Sequence, residues 1–290
     1  MIPTVTASVW NYCNNHCSYC VAGSNDPKWR PKPTFEIWKP KGFQDLNDHE
    51  LRVRFGTEYY HELCPDKNRY LNAADVLSFE HLIDWLDLYR PGATVHLSGG
   101  EPLLRPDIAF QTTLLLAAGY QVVMFTNGQL IHERPELLDL PIKWCVTFHQ
   151  QSGLSVDDFL AQIEPIRERP LIVHTVVSTF LEAKALSIFE HRFAGYRFYE
   201  KWNGNAARTM VAGFRYDPSD LVDVASRRLT LVTPDGAVYP CNTCRIGPIG
   251  DIYRGTCDEE KARLLDASCR ECIQRNACSA YQTAALLETA

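Results

Sequence analysis

An α/β fold with a parallel sheet is predicted for this chain by three observations. Short β-rich runs alternate with helical patterns from residue 4 to about residue 200, and repeated βα units of this kind specify a parallel sheet covered by helices. Hydrophobic residues make up 46% of the 290 and charged residues 22%, which is ordinary globular usage and enough for a full-sized core. The chain has no repeat at solenoid or propeller period and no low-complexity tract. The pattern alone leaves open whether the sheet stays open or closes as a barrel or partial barrel.

Residues 4–10 read as the first strand, ending just before the first cysteine. Residues 77–89 read as a helix, because Phe79, Leu82, Ile83 and Leu86 recur at i, i+3, i+4 and i+7 behind a Ser78 cap. A strand at 94–97, a helix at 108–118 stopped by Gly119 and a strand at 121–125 follow. A short helix at 135–138 precedes a strand at 144–148. Ser155 and Asp158 open a capped helix that reaches about residue 166. A strand at 171–177, a helix at 182–193 and a strand at 196–199 complete the alternation.

Two stretches break this rhythm. Residues 23–73 scatter Trp29, Trp38, Phe43, Phe55, Tyr59, Tyr60 and Tyr70 among Pro, Lys and Asp, and read as an insertion over the domain surface or a substrate-covering lid. Its basic run at 28–42 reads as a solvated face. From about residue 229, TLVTPDGAVYPC reads as a hairpin turning at Pro234-Asp235-Gly236 and leading into a cysteine-rich tail. The expected domains are therefore 1–227 and 228–290.

Charge and hydropathy exclude some classes. A net charge of −6 argues against a dedicated nucleic-acid partner. No apolar run reaches the roughly 18 residues of a membrane span. The start, MIPTVTASVW, lacks the charged region of a signal peptide, so a cytoplasmic location with no membrane contact is expected.

Cysteine usage departs from the ordinary. Of 11 cysteines, Cys13, Cys17 and Cys20 lie together near the start, and Cys241, Cys244, Cys257, Cys269, Cys272 and Cys278 lie in the tail. Clustered thiols in a reducing compartment read as metal or redox sites rather than disulfides. Cys64 and Cys145 stand alone, and Cys145 reads as a buried small hydrophobe. Cys13-x3-Cys17-x2-Cys20 offers three thiolates, which leave one metal position open for chemistry. That set suits a 4Fe–4S cluster with one exchangeable iron. Zinc, with His16 as fourth ligand, is the alternative.

This spacing, with Tyr19 before the last cysteine, resembles the radical S-adenosylmethionine (SAM) superfamily. Two further segments support the resemblance: Ser98-Gly99-Gly100-Glu101-Pro102 after the second strand and Thr126-Asn127-Gly128 after the third. Paired glycines allow a main chain to approach a ligand closely, and a nearby carboxylate could balance an ammonium. The resemblance implies a partial (βα)6 barrel and a cluster whose open iron chelates SAM. One electron then cleaves SAM to methionine and a 5′-deoxyadenosyl radical, which takes a hydrogen atom from substrate. In the family the Gly-Gly-Glu-Pro segment holds the methionine amino group, and the turn after the third strand lines the nucleotide. His149, Gln150 and Ser178, at strand ends where barrel enzymes place their chemistry, are candidate contacts to SAM or substrate. His96 and His174 lie in strands and read as satisfied core histidines, with lining of a barrel interior as the alternative.

The tail resembles the SPASM/twitch domain that follows many radical SAM barrels and holds auxiliary iron–sulfur clusters. The carrying residues are the PDGAVYPC hairpin, Ile249-Gly250-Asp251-Ile252 and Cys269-x2-Cys272-x5-Cys278. The pattern departs at Gln282, where a full domain has one more cysteine. The tail's six thiolates therefore support one fully ligated auxiliary 4Fe–4S cluster with two spare cysteines, two under-ligated clusters, or a zinc-ribbon-like site. Some radical SAM epimerases of the neomycin epimerase type quench a substrate radical with a cysteine thiol. By that resemblance Cys244 is the candidate hydrogen-atom donor, against the plain reading that it is a ligand or inert.

The function expected is that of a radical SAM epimerase or oxidoreductase acting on a C–H bond of a polar small molecule, such as a cationic aminoglycoside, with flavodoxin or ferredoxin as reductant. A peptide- or protein-modifying maturase is the alternative. A non-catalytic zinc- or cluster-bearing binding module is the reading from a different class.

Overall fold

A computed structural model describes residues 3–15, 17, 76–177, 190–196, 198–203, 209–211, 230–240 and 248–264. Its centre is a mostly parallel sheet. The strands are β1 (Thr4–Ser8), β2 (Thr94–Ser98), β3 (Gln121–Thr126), β4 (Lys143–Phe148), β5 (Leu171–Val177) and β6 (Phe198–Asn203), paired in parallel in chain order. Strand β7 (Thr209–Val211) adds antiparallel at the β6 edge. At the other edge β8 (Thr230–Val232) joins β1 in parallel. The strands β9 (Ala237–Tyr239), β10 (Gly250–Asp251) and β11 (Thr256–Cys257) then continue outward as an antiparallel meander.

The described helices are α1 (Phe79–Tyr89), α2 (Ile108–Ala117), α3 (Pro135–Leu138), α4 (Val156–Ile163) and α5 (Glu259–Leu264). None of the described helices is long and apolar enough to cross a membrane. Helix α1 starts where Ser78 Oγ accepts the His81 N–H, satisfying one of the orphan donors of its first turn. Helix α2 ends as expected at Gly119, which takes φ +86° while Gly119 and Tyr120 donate back to Leu116 and Leu115. Helix α4 is capped by Ser155 Oγ, which accepts the Asp158 N–H at 3.1 Å. It stops at Ile163 and narrows to a 3-10 turn over Glu164–Ile166, because Pro165 has no N–H to continue the α ladder.

The two faces of the sheet differ in chemistry. Val5, Ala7, Val95, Leu97, Val122, Met124, Trp144 and Val146 project to one face and pack with Leu82, Trp85, Ile108, Leu115 and Phe159 of the helices in the main core. The opposite face carries Thr6, His96, Val123, Cys145, Thr147, Ile172 and His174, since paired residues of parallel strands share a side. Val123, Cys145 and Ile172 form a small second cluster there with Phe125. Cys145 is thus the buried small residue expected. His174 contacts Thr147 Oγ1 at 2.9 Å and Cys145 Sγ at 3.5 Å, and the His96 ring packs tilted against Phe125 at 5.0 Å between centroids.

Two expected strand ends shift by two residues. The first strand ends at Ser8 rather than 10, and Trp10 instead makes an antiparallel bridge to Val76. The sixth begins at Phe198, because Tyr196 still closes the turn over Glu190–Phe193 with a hydrogen bond to Phe193. Of the helix expected over 182–193, residues 182–189 lie outside the described residues. The hairpin turns where expected: Gly236 donates to Thr233 at 2.9 Å with φ +84°. Farther along the meander, β11 and the turn before it are tied to α1 by Trp85 Nε1 donating to Thr256 O and Tyr89 Oη donating to Gly255 O.

Candidate functional site

Parallel pairing puts the C-terminal ends of β1 to β4 at one end of the sheet, so the loops that leave them meet there. The cysteine loop follows β1, the Gly-Gly-Glu turn follows β2, the Thr-Asn-Gly turn follows β3 and His149 follows β4. The loop holding Cys13 and Cys17 is fastened at its base. Val9 N donates to Ser98 O, Gly100 N to Trp10 O and Glu101 N to Tyr12 O, extending the β1–β2 ladder past the strand ends. Trp10 Nε1 returns the contact by donating to Glu101 O at 2.8 Å.

This close approach explains the paired glycines. A Cβ on Gly100 would lie 1.9 Å from Tyr12 O, and one on Gly99 would lie 2.4 Å from Trp10 O. Gly99 also holds φ +122°. These glycines admit the backbone of the cysteine loop.

Glu101 joins the second and third loops. Its carboxylate is 1% exposed. Oε1 accepts from Leu103 N at 3.0 Å and from Thr126 Oγ1 at 2.7 Å, while Oε2 accepts from Asn127 N at 2.7 Å. Burial pushes its pKa up to about 7 despite these donors and the Arg134 charge, which pull it down. Thr126 Oγ1 in turn accepts the Gly128 N–H at 3.0 Å. Pro102 is buried at the start of the 3-10 turn over Pro102–Leu104, and Ser98 lends its carbonyl to Val9.

The residues present suit a thiolate-bound cluster. Cys13 Sγ accepts the main-chain N–H of Asn15 at 3.4 Å and lies 4.0 Å from Asn14 Oδ1. Cys17 is 6% exposed, and its Sγ lies 3.2 Å from His149 Nδ1. Burial pushes the His149 pKa down to about 4, so a neutral imidazole faces the sulfur. Cys20 and Tyr19 lie outside the described residues, as do Ser178 and the tail cysteines Cys241, Cys244, Cys269, Cys272 and Cys278. Of the tail cysteines only Cys257 is described. It ends β11 with its Sγ 3.5 Å from Glu259 Oε1 and 4.0 Å from Arg90 Nη2.

Four participants had no sequence-level motif. Between the first and third loops Asn127 donates to Asn14, Asn14 to Gln129 and Gln129 to Asn15. Arg105, with Asp107, holds the base of the cysteine loop by donating to Val9 O and Leu77 O. The adjacent amides Asn14 and Asn15, directly after Cys13, were the available signal for the first group. Arg105 carried none.

Residues 7–149 match the radical SAM superfamily, a span that contains Cys13, Cys17, the Gly-Gly-Glu turn, the Thr-Asn-Gly turn and His149. No curated protein matches the sequence. Among solved structures, the chain is similar to Streptococcus suis SuiB bound to S-adenosylmethionine, at 13% identity and a TM-score of 0.42. It is also similar to SuiB bound to precursor peptide SuiA, at 11% and 0.46, and to SuiB alone, at 10% and 0.38. Each comparison covers 83% of this chain and 60% of SuiB, so this chain spans about three-fifths of SuiB's length.

Proposed function

Starting from a radical SAM superfamily domain at residues 7–149, we propose that this chain cleaves SAM reductively and uses the product to take a hydrogen atom from a C–H bond of a polar substrate. The observation that carries the reading is the junction of three loops at one end of the sheet, with Glu101 hydrogen-bonded to Thr126 and Asn127 and the cysteine loop fastened beside it. Cys13, Cys17 and Cys20 would hold the 4Fe–4S cluster. When bound, the cluster and SAM supply one-electron cleavage of a carbon–sulfur bond.

The chain's own residues do the rest. The Gly100–Trp10 and Glu101–Tyr12 main-chain bonds fix the cysteine loop against the β2 turn. Glu101 holds the second and third loops in register. His149 places a neutral ring against Cys17. The reading of a polar substrate draws on the sheet face where Thr6, His96, Thr147 and His174 lie beside the apolar Val123, Cys145 and Ile172. Carbohydrate-like or aminoglycoside-like molecules undergoing epimerisation or dehydrogenation are the substrate class we favour. Residues 228–290 would then form a SPASM/twitch-like domain holding an auxiliary cluster, with Cys257 among its ligands.

The test is anaerobic reconstitution followed by reduction with dithionite in the presence of SAM. Formation of 5′-deoxyadenosine by the wild type, lost in a Cys13/Cys17/Cys20→Ala variant, is the expected result. About eight irons per chain falling to about four in that variant would support one auxiliary cluster. Zinc without iron or sulfide would overturn the reading.

A further inference from the structure

Four amide side chains run in one hydrogen-bonded file from the turn after β3 into the cysteine loop. Asn127 Nδ2 donates to Asn14 Oδ1 at 2.6 Å, Asn14 Nδ2 to Gln129 Oε1 at 2.9 Å, and Gln129 Nε2 to Asn15 Oδ1 at 2.9 Å. The oxygen and nitrogen of an amide are alike in shape, so the direction of such a file is fixed only where it meets a group that cannot reverse. That group is the main-chain N–H of Gln129, which can only donate and which meets Asn127 Oδ1 at 3.0 Å. With this oxygen assigned, each amide that follows is assigned in turn. The file has to end on an NH2.

Its end is Asn15 Nδ2. Asn15 is buried, and this nitrogen has no hydrogen-bond partner among the described residues. An orphaned buried donor costs about 1–3 kcal/mol, so a chain that orients one through three other amides has a use for it. The position of Asn15 points to the acceptor. It lies within Cys13-x3-Cys17, and its main-chain N–H already donates to Cys13 Sγ. An acceptor beside residue 15 therefore lies at the metal end of the loop, where a thiolate-bound cluster offers negatively charged sulfur.

We propose that Asn15 Nδ2 donates a hydrogen bond to a sulfur of the cluster held by the cysteine loop, that Asn127, Asn14 and Gln129 orient it, and that it raises the cluster's reduction potential. The proposal rests on the cluster assignment under Proposed function. A donor to sulfur stabilises the more negative reduced state, so the cluster accepts its electron more readily. Gln129 acts as a positioning residue, because its Nε2 donates to Asn15 Oδ1 and so turns the Asn15 NH2 away from residue 129.

The test is a redox titration of the full reconstituted chain without SAM, followed by electron paramagnetic resonance. The relevant signal is the one lost in Cys13→Ala. Asn15→Asp and Asn15→Leu are expected to move its midpoint to more negative potential with iron content retained. Gln129→Glu is expected to move it the same way. A carboxylate at 129 cannot donate to Asn15 Oδ1, so Asn15 turns its NH2 toward residue 129 and its oxygen toward the cluster. Unchanged midpoints in loaded Asn15 variants would overturn the proposal. So would a change confined to SAM affinity, which would make the SAM carboxylate the acceptor, or loss of iron in all three variants, which would make the file a scaffold for the loop. A wild type that binds no cluster would instead sink the cluster assignment itself.

Discussion

The main-chain N–H of Asn127 donates to Glu101 Oε2 at 2.7 Å, which locks the turn after β3 to the turn after β2. The same carboxylate takes Thr126 Oγ1 and Leu103 N on its other oxygen. Three donors converge on a group that burial nonetheless holds at a pKa of about 7.

A pH signature follows. The ordinary value is 4.5, so between pH 4.5 and about 7 the folded chain binds more protons than the unfolded one. Stability from this group is therefore full below pH 4.5 and is lost as pH rises through about 7. The size is on the order of 3 kcal/mol, at about 1.4 kcal/mol per pH unit. Glu101→Gln should remove that slope. It should also cost roughly 1–3 kcal/mol at pH 5, where one of the three donors meets an amide NH2. Urea unfolding of the metal-free wild type and variant at pH 5 and 7.5 reads both effects. Parallel pH dependence in the two proteins would exclude Glu101 as the titrating group.

Gly100 and Gly119 make opposite predictions from one substitution. A Cβ at Gly100 would sit 1.9 Å from Tyr12 O, a backbone atom that cannot step aside without moving the cysteine loop. At Gly119 nothing lies within 4 Å, and only the left-handed φ of +86° resists a side chain. Gly119→Ala should cost about 1–2 kcal/mol and leave cluster loading intact. Gly100→Ala should cost about 3 kcal/mol or more and impair iron uptake. Equal unfolding midpoints for the two variants would contradict the assignment.

The contrast between those glycines marks how far the sequence could be read. Local signals carried the elements: Ser78 and Ser155 cap their helices, Gly119 ends one, and Pro234-Asp235-Gly236 makes the turn, because each acts within a few residues. Motif order carried the meeting of Cys13, Gly99, Gly100, Glu101, Thr126 and Asn127, since parallel strands return every loop to the same end. The contact of the glycines with the main chain of Trp10 and Tyr12 is not legible locally, because it arises only through the β1–β2 register. The amide file escaped for the same reason: Asn14 and Gln129 are far apart in sequence and meet only once β1 to β3 are paired. The parallel seat of β8 beside β1 is equally non-local.

Arg105 tests whether the base of the cysteine loop is held by charge geometry. Its guanidinium binds Asp107 in a two-point fork at 2.8 and 3.0 Å and donates to Val9 O and Leu77 O, with both side chains buried. Removing one partner strands the other charge, so Arg105→Ala should cost about 3–5 kcal/mol. Arg105→Lys keeps the charge and loses the planar fork, so it should fall between the two. Thermal unfolding of both variants checks the order. A lysine variant as stable as wild type would show that charge alone suffices.

Cys257 provides the last test, at the opposite edge of the sheet from β5 and β6. Burial is the main cause that pushes its thiol up to about 11; the Arg90 charge lowers it and Glu259 raises it again. In the metal-free protein this thiol should stay protonated at pH 8 and alkylate more slowly than an ordinary cysteine, whose pKa is near 8.5. Glu259→Gln removes the neighbouring carboxylate and leaves the Arg90 guanidinium, so the pKa should fall and alkylation at pH 8 should quicken several-fold. Peptide mapping of the Cys257 adduct against time measures this. If Cys257 is an auxiliary-cluster ligand, reconstitution should abolish its alkylation in both proteins. Labelling that persists after full iron loading would remove Cys257 from the ligand set and leave the cluster to the other tail cysteines.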